Sequence, residues 1–153
     1  MQMLRTLAER LSRGKFLKRT LPSRFGHAPL YVSPDSQLKY LKFGDDAFDA
    51  ELLKVIDEYI SEESVVWDIG ANVGVFSIGA ATIAKKGSVL AVEADIWLAW
   101  LIGRSLLLKE NDGLKIQVLP SAISDRNGIA TFLIASRGRA SNSLEVAGGR
   151  SQS

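Results

Sequence analysis

The 153-residue chain contains no cysteine, a single histidine, four prolines and two methionines. Without cysteine there can be no disulfide, no thiolate zinc site and no cysteine nucleophile. With His27 as the lone imidazole, a metal centre would need carboxylates almost alone, and a Ser-His-Asp triad would have to use a histidine in a Pro-flanked loop. Neither is expected, and a metal is not among the predicted partners. A large excess of one charge is also missing: the net charge is +2, with 46% apolar and 24% charged residues, which are ordinary globular proportions. The length allows one domain with a real core but is short for a doubly wound α/β enzyme. A cytoplasmic protein without a nucleic-acid partner is the expectation.

The small positive charge is unevenly placed. Arg5, Arg10, Arg13, Lys15, Lys18, Arg19 and Arg24 face only Glu9 in the first two dozen residues. Leu4, Leu7, Ala8 and Leu11 recur at i, i+3, i+4 and i+7, so residues 1–24 are predicted to hold a basic amphipathic helix. It is too short and too charged to span a membrane and lacks the apolar core of a signal peptide. It either packs on the domain as a solvated helix or acts as an arm for anionic lipid or an acidic partner. The second case would put the protein at the membrane periphery.

Residues 25–62 are rich in turn formers and carry short apolar runs around Leu30–Val32 and Leu38–Phe43, which predict a β-hairpin or two edge strands. Asp45 or Asp46 could cap a helix whose buried stripe would be Phe48, Leu52, Val55, Ile56 and Tyr59. From residue 63 to 140 the pattern is regular. Strands are predicted over Ser64–Ile69, Ser88–Glu93 and Lys115–Leu119, alternating with helices over about Val75–Lys86 and Ile96–Glu110. Such alternation implies right-handed βαβ crossovers and a parallel sheet. Gly87 stands where a helix end wants a left-handed residue, and Asp95 where the next helix wants a cap. The second helix is apolar around much of its surface, and most of that is expected to be core. A turn at Asp125–Gly128 predicts a second hairpin, and residues 141–153 read as a loose polar tail.

The loop after the first parallel strand, "VVWDIGANVG" over Val65–Gly74, decides the chemistry. A dinucleotide fingerprint needs Gly-x-Gly-x-x-Gly, but from Gly70 the second glycine position is Asn72 and the third is Val75. A P-loop is excluded because no Gly-Lys-Ser or Gly-Lys-Thr follows. The spacing that fits is Asp-x-Gly-x-Gly-x-Gly, met as Asp68, Gly70, Asn72 and Gly74 with asparagine for the middle glycine. Asparagine is the non-glycine residue that best tolerates positive φ. Such a loop brings its backbone, Ala71 included, close to a ligand without phosphates, and Asp68 can attract an ammonium group. Glu93 ends the next strand, nineteen residues beyond Gly74, where its two oxygens can accept both hydroxyls of a ribose. An adenosine with an amino-acid tail, S-adenosyl-L-methionine, satisfies both.

"VVWDIGANVGVFSIGAA", "GSVLAVEAD" and "VLPSAISDRNGIATFLIA" with the following "SNSL" resemble the FkbM-type S-adenosylmethionine-dependent methyltransferases, over roughly Asp35–Leu144. The resemblance implies a Rossmann-like fold and transfer of a methyl group to a hydroxyl of a sugar, polysaccharide precursor or other small metabolite. It places Asp68, Gly70, Asn72 and Gly74 on the methionine and ribose side, Glu93 on the ribose, and Ser121 and Ala122 near the adenine. Two features depart from the family: Ala94 follows Glu93 where proline is usual, and the following helix is leucine-rich where asparagines are usual. The family's next aspartate-bearing strand has no counterpart, so the expected fold is α/β and Rossmann-like, truncated after the third parallel strand and a hairpin. The open edge of "VVWDIG" would then invite pairing with another copy. No catalytic base is assigned; His27 and Asp125 are the only candidates. A non-catalytic cofactor-binding fragment or interaction module is the alternative reading.

Overall fold

The chain opens, within the residues that the computed structural model describes (11–125, 127–135 and 143–144), with an antiparallel pair. Strand β1 (Leu17–Thr20) runs against β2 (Pro29–Val32), with Leu17 opposite Val32 and Thr20 opposite Pro29. Most of the predicted amphipathic helix falls outside the described residues. The pair also replaces the predicted hairpin: Leu38–Phe43 is not a strand, and Leu38–Leu41 and Gly44–Ala47 form two 3-10 turns. Chain reversal begins at Ser33, whose carbonyl accepts from the backbone N–H groups of Ser36 and Gln37. Tyr40 and Ala47 are buried from these short turns.

Helix α1 (Ala50–Tyr59) starts at Asp49, whose carboxylate accepts from Glu51 N–H at 3.1 Å. The predicted caps, Asp45 and Asp46, lie instead inside the second 3-10 turn. Of the expected buried stripe only Phe48 and Ile56 are buried, and Leu53 takes the place of Leu52. Leu53 and Ile56 point inward beside Phe48, while Leu52, Val55 and Tyr59 are exposed. Two stripes of equal spacing were available, and packing chose between them. Ile56 settles over Gly79 so closely that a Cβ there would lie 2.8 Å from the Ile56 side chain.

Strands β3 (Val65–Ile69), β4 (Ser88–Val92) and β5 (Ile116–Leu119) form a parallel sheet in chain order. Helix α2 (Val75–Ile83) joins β3 to β4, and α3 (Ile96–Leu106) joins β4 to β5. The α/β alternation is as predicted, with helices three or four residues shorter at their C-termini. Two successive crossovers of the same hand place both helices on one face, where Val66, Val89 and Ala91 are buried beneath Val73, Ile78, Leu101 and Ile102. Each large aliphatic chain buried there contributes about 1.5–3 kcal/mol. The other face carries Val65, Trp67, Ile69 and Leu119, all exposed. Among the described residues no strand pairs with the second edge of β3.

Gly87 does not serve as a left-handed helix end, since its φ is not positive and α2 ends at Ala84. It is glycine because a Cβ would stand 1.8 Å from the Ser64 carbonyl oxygen. Asp95 does cap α3, accepting from Trp97 N–H at 2.9 Å. After β5 the predicted hairpin around Asp125–Gly128 does not form. Strand β6 (Phe132–Leu133) pairs instead with β7 (Ser143–Leu144), inside the segment expected to be loose. The rest of that tail lies outside the described residues. No helix among the described residues is long and apolar enough to cross a membrane.

Candidate functional site

The loop between β3 and α2 reverses the chain with three left-handed residues in alternation: Gly70 (φ 83°), Asn72 (φ 54°) and Gly74 (φ 84°). The middle residue is the asparagine for which positive φ was expected. Alternating left-handed residues turn successive backbone N–H groups to one side, and four in this loop are already engaged, that of Gly74 by the Ala71 carbonyl at 2.8 Å. Those of Gly70 and Ala71 both donate to the Val92 carbonyl at 2.9 and 3.0 Å, and that of Asn72 donates to Glu93 Oε2 at 2.7 Å. At Gly74 a Cβ would meet the Ile102 side chain at 3.1 Å, so the loop is also pressed against α3.

Glu93 is buried and binds at both ends of its carboxylate. Oε2 accepts from Asn72 N–H and Oε1 from Asp95 N–H at 2.8 Å. The first glycine loop and the N-terminus of α3 are therefore tied together through one side chain. Each carboxylate oxygen keeps a second lone pair, so these bonds do not exhaust its capacity to accept. The Ser121 N–H donates to the Glu93 carbonyl at 3.1 Å, which brings Ser121 and its neighbour Ala122 to the same end of the sheet.

Asp68 sits at the carboxyl end of β3 on the helix-covered face, and Ser77 Oγ donates to its Oδ2 at 2.5 Å. Burial raises its carboxyl above the ordinary aspartate range, and the hydrogen bonds from Ser77 only partly oppose this. No cation among the described residues offsets the charge. A cleft of about 280 Å³ opens beside it, lined by Gln37, Tyr40, Phe48, Asp49, Leu52, Asp68, Gly70, Ala71, Asn72, Val73, Val75 and Phe76. Glu93 does not line this cleft; it buttresses the loop that does. Burial, and then the charge of Asp49, push the Tyr40 phenol well above its usual range.

Asp68, Gly70, Ala71, Asn72, Gly74, Glu93 and Ser121 are thus brought together by direct hydrogen bonds or adjacency in one loop. His27 and Asp125 are not. His27 occupies the exposed β1–β2 turn, and the start of β2 is fixed near the C-terminal end of α3, where Asn111 donates to the Pro29 and Ser105 carbonyls. The loop lies at the other end of that helix, a rise of roughly 15 Å away. Asp125 lies in an exposed bend and accepts from Ser124.

Sequence reasoning missed Ser77, Ser36 and the cleft wall from residues 37–52. Ser77 left a signal, because it is the one hydroxyl near the start of an otherwise apolar helix, "VFSIGAA". Ser36, which donates to Asn72 Oδ1 at 2.8 Å, left none: it is one of several serines in a turn-rich stretch.

No family model matches the chain, and no curated protein does. Among solved structures it is similar to precorrin-6y C5,15-methyltransferase from Geobacter metallireducens, with 24% identity and a TM-score of 0.40 over 47% of this chain and 36% of that one. It is also similar to Trm5 from Methanocaldococcus jannaschii in complex with adenosine, with 17% identity and a TM-score of 0.44 over 71% of this chain and 29% of that one. The chain spans about a third of the length of these solved proteins.

Proposed function

We propose that the β3–α2 loop binds S-adenosyl-L-methionine and that the chain is the cofactor-binding part of a methyltransferase of the FkbM type. The observation that carries this reading is the Glu93 clasp. A loop with alternating positive φ is locked by the Asn72 N–H bond to the carboxylate that ends the neighbouring strand, beside a cleft containing a half-buried acid with no cation among the described residues. Asp68 suits an ammonium group, because a cation would relieve the cost that burial places on its charge. The backbone from Gly70 to Gly74, free of Cβ at both ends, suits close approach by a methionine and ribose. Glu93, through its remaining lone pairs, suits the ribose hydroxyls, and Ser121 and Ala122 stand at the adenine end. The cofactor, when bound, supplies an electrophilic methyl group; the chain then has to align an acceptor oxygen and exclude water. A sugar, polysaccharide precursor or small-metabolite hydroxyl is the acceptor class we favour, on the resemblance alone.

A second reading, binding without turnover, is favoured by the acids of the cleft. Asp49 is held below the usual carboxylate range by its hydrogen bond and charge pairing with Lys39, and so is a weak base. The Tyr40 phenol is pushed the other way and stays protonated. Calorimetric titration with S-adenosylmethionine and S-adenosylhomocysteine, followed by a methyl-transfer assay on a panel of glycans, separates the two readings. Binding with turnover supports the enzyme, and binding alone supports the module. No binding at low micromolar protein and millimolar ligand defeats both, and binding of NADH in its place would restore the dinucleotide reading.

A further inference from the structure

Helix α3 turns Leu98, Ala99, Leu101, Ile102 and Ser105 into the core, so its opposite side faces outward. That side is not polar. Ile96 is 76% exposed, Trp100 41% and Leu107 81%. At 100° per residue these three fall within about 40° of one another, on one line along roughly 16 Å of helix. An outward helix face normally carries charge, and the sheet beneath gives these residues no partner. Most of the helix is core, as expected, and this stripe is the exception.

The stripe continues onto the segment before β1. The Phe16 ring meets Trp100 edge-on at 5.9 Å and lies 6.2 Å from Trp97, which itself stacks on Trp100 at 4.8 Å. The layer is rimmed by cations. The Arg104 guanidinium lies 5.3 Å from the Trp100 ring and 5.8 Å from that of Tyr31; the exposed Lys15 adjoins Phe16 along the chain, and the exposed Arg13, three residues before it, donates to the Ala135 carbonyl at 2.7 Å. Among the described residues, the carboxylates nearest this rim have partners of their own. Asp35 is buried and accepts from Ser33 and Gly14, and Asp95 is buried as the cap of α3. Glu110 pairs with Lys18 at 3.3 Å.

A narrow line of large apolar side chains that includes an exposed tryptophan, bordered by arginine and lysine, has the composition of a surface that lies in a lipid interface. We propose that this face docks the protein peripherally on an anionic lipid surface. Ile96, Trp100, Leu107 and Phe16 enter the boundary between headgroups and acyl chains, and Arg13, Lys15 and Arg104 sit among the phosphates. The positive rim selects anionic lipid over a second copy of this chain, because two such faces would oppose like charge with like. The surface is distinct from the cleft and does not depend on what the cleft binds.

The test uses the full chain with vesicles of phosphatidylcholine alone and vesicles containing roughly one third phosphatidylserine. Co-sedimentation is expected with the anionic vesicles, falling at least tenfold when salt is raised toward molar concentration. Brominated acyl chains are expected to quench the tryptophan fluorescence, and to do so still in Trp67→Phe, since Trp67 lies on the opposite face of the sheet. Ile96→Glu with Trp100→Glu should weaken partition at least tenfold with the circular dichroism spectrum retained, and the milder Arg104→Gln should weaken it less. Three results would overturn the proposal: no sedimentation with anionic vesicles, quenching that vanishes in Trp67→Phe, or binding unchanged in the well-folded Arg104→Gln and double-glutamate variants. Concentration-dependent dimerisation abolished by the same double variant would also overturn it, by assigning the face to a second copy.

Discussion

Glu93→Ala should destabilise the ligand-free protein, whatever it does to a ligand. The carboxylate accepts two backbone N–H groups, from Asn72 at 2.7 Å and Asp95 at 2.8 Å, and the side chain is 9% exposed. Hydrogen bonds to a charged group contribute about 1.5–3 kcal/mol each, and deleting the acceptor strands both donors. Water can reach the partly buried Asn72 side of the pair, so the lower end applies, for a total of about 3 kcal/mol. In a chain of this size that lowers the melting temperature by about 6–12 °C. Glu93→Gln keeps one acceptor oxygen but turns an NH₂ toward the other donor, so it should fall between wild type and alanine. Urea unfolding of the ligand-free protein, followed by tryptophan fluorescence, measures both. A Glu93→Ala variant within 0.5 kcal/mol of wild type, about the noise of such comparisons, would refute the idea that this residue clasps the loop. It would leave Glu93 with a ligand-binding role only.

Gly87→Ala should be among the most damaging single changes, because the new Cβ would stand 1.8 Å from a backbone oxygen at the start of β3; soluble expression and thermal melting test it, and a normal melt contradicts the packing at that crossing. Burial raises the Asp68 carboxyl above its unfolded value of 3.8, so the stability linked to its protonated form is complete below that pH and lost as pH rises through the folded value. Asp68→Asn should accordingly be more stable than wild type at neutral pH, with the gap closing in acid, while S-adenosylmethionine binding weakens at least tenfold; melts across pH and calorimetry report the two effects. Among the described residues one edge of β3 is unpaired, and such an edge should drive self-association, so sedimentation equilibrium is expected to give a mass that rises with concentration and returns to that of a monomer in Trp67→Lys.

The parallel sheet was legible because it rests on signals local to the chain. A five-residue strand must end where Gly70 turns left-handed, and Asp95 must cap the next helix wherever the sheet lies. Loop residues and Glu93 were legible for the same reason, since their spacing follows from adjacent parallel strands of equal length. What was not legible depends on partners distant in sequence. The inward stripe of α1 was decided by Gly79 on α2, which admits Ile56, and β1 was hidden in a run of lysines and arginines that only its pairing with Pro29–Val32 makes extended. The cleft wall from Gln37 to Asp49 comes from turns and a helix cap with no periodicity to read, and Leu52 of α1 completes it. The exposed outer stripe of α3 was not legible for another reason: periodicity says which residues share a face, and cannot say what covers that face.

Asn72 shows how such a long-range contact enters the site. At φ 54° a glycine would be more comfortable, and the sequence alone offers no reason for the asparagine beyond tolerance. In the fold, its Oδ1 accepts the Ser36 hydroxyl at 2.8 Å, while its own N–H is held by Glu93. The asparagine therefore fastens the glycine loop to the turn that walls the cleft, which glycine could not do. Asn72→Gly should keep the backbone and lose one partly buried hydrogen bond, costing about 0.5–1.5 kcal/mol. Asn72→Ala loses the same bond and must also hold an unassisted left-handed conformation, for about 1–2 kcal/mol more. Unfolding measurements should thus rank asparagine above glycine above alanine, and amide exchange in residues 70–74 should quicken in that order. If alanine proves as stable as glycine, left-handed strain is not what constrains this position; if glycine proves more stable than asparagine, the Ser36 bond holds nothing in place.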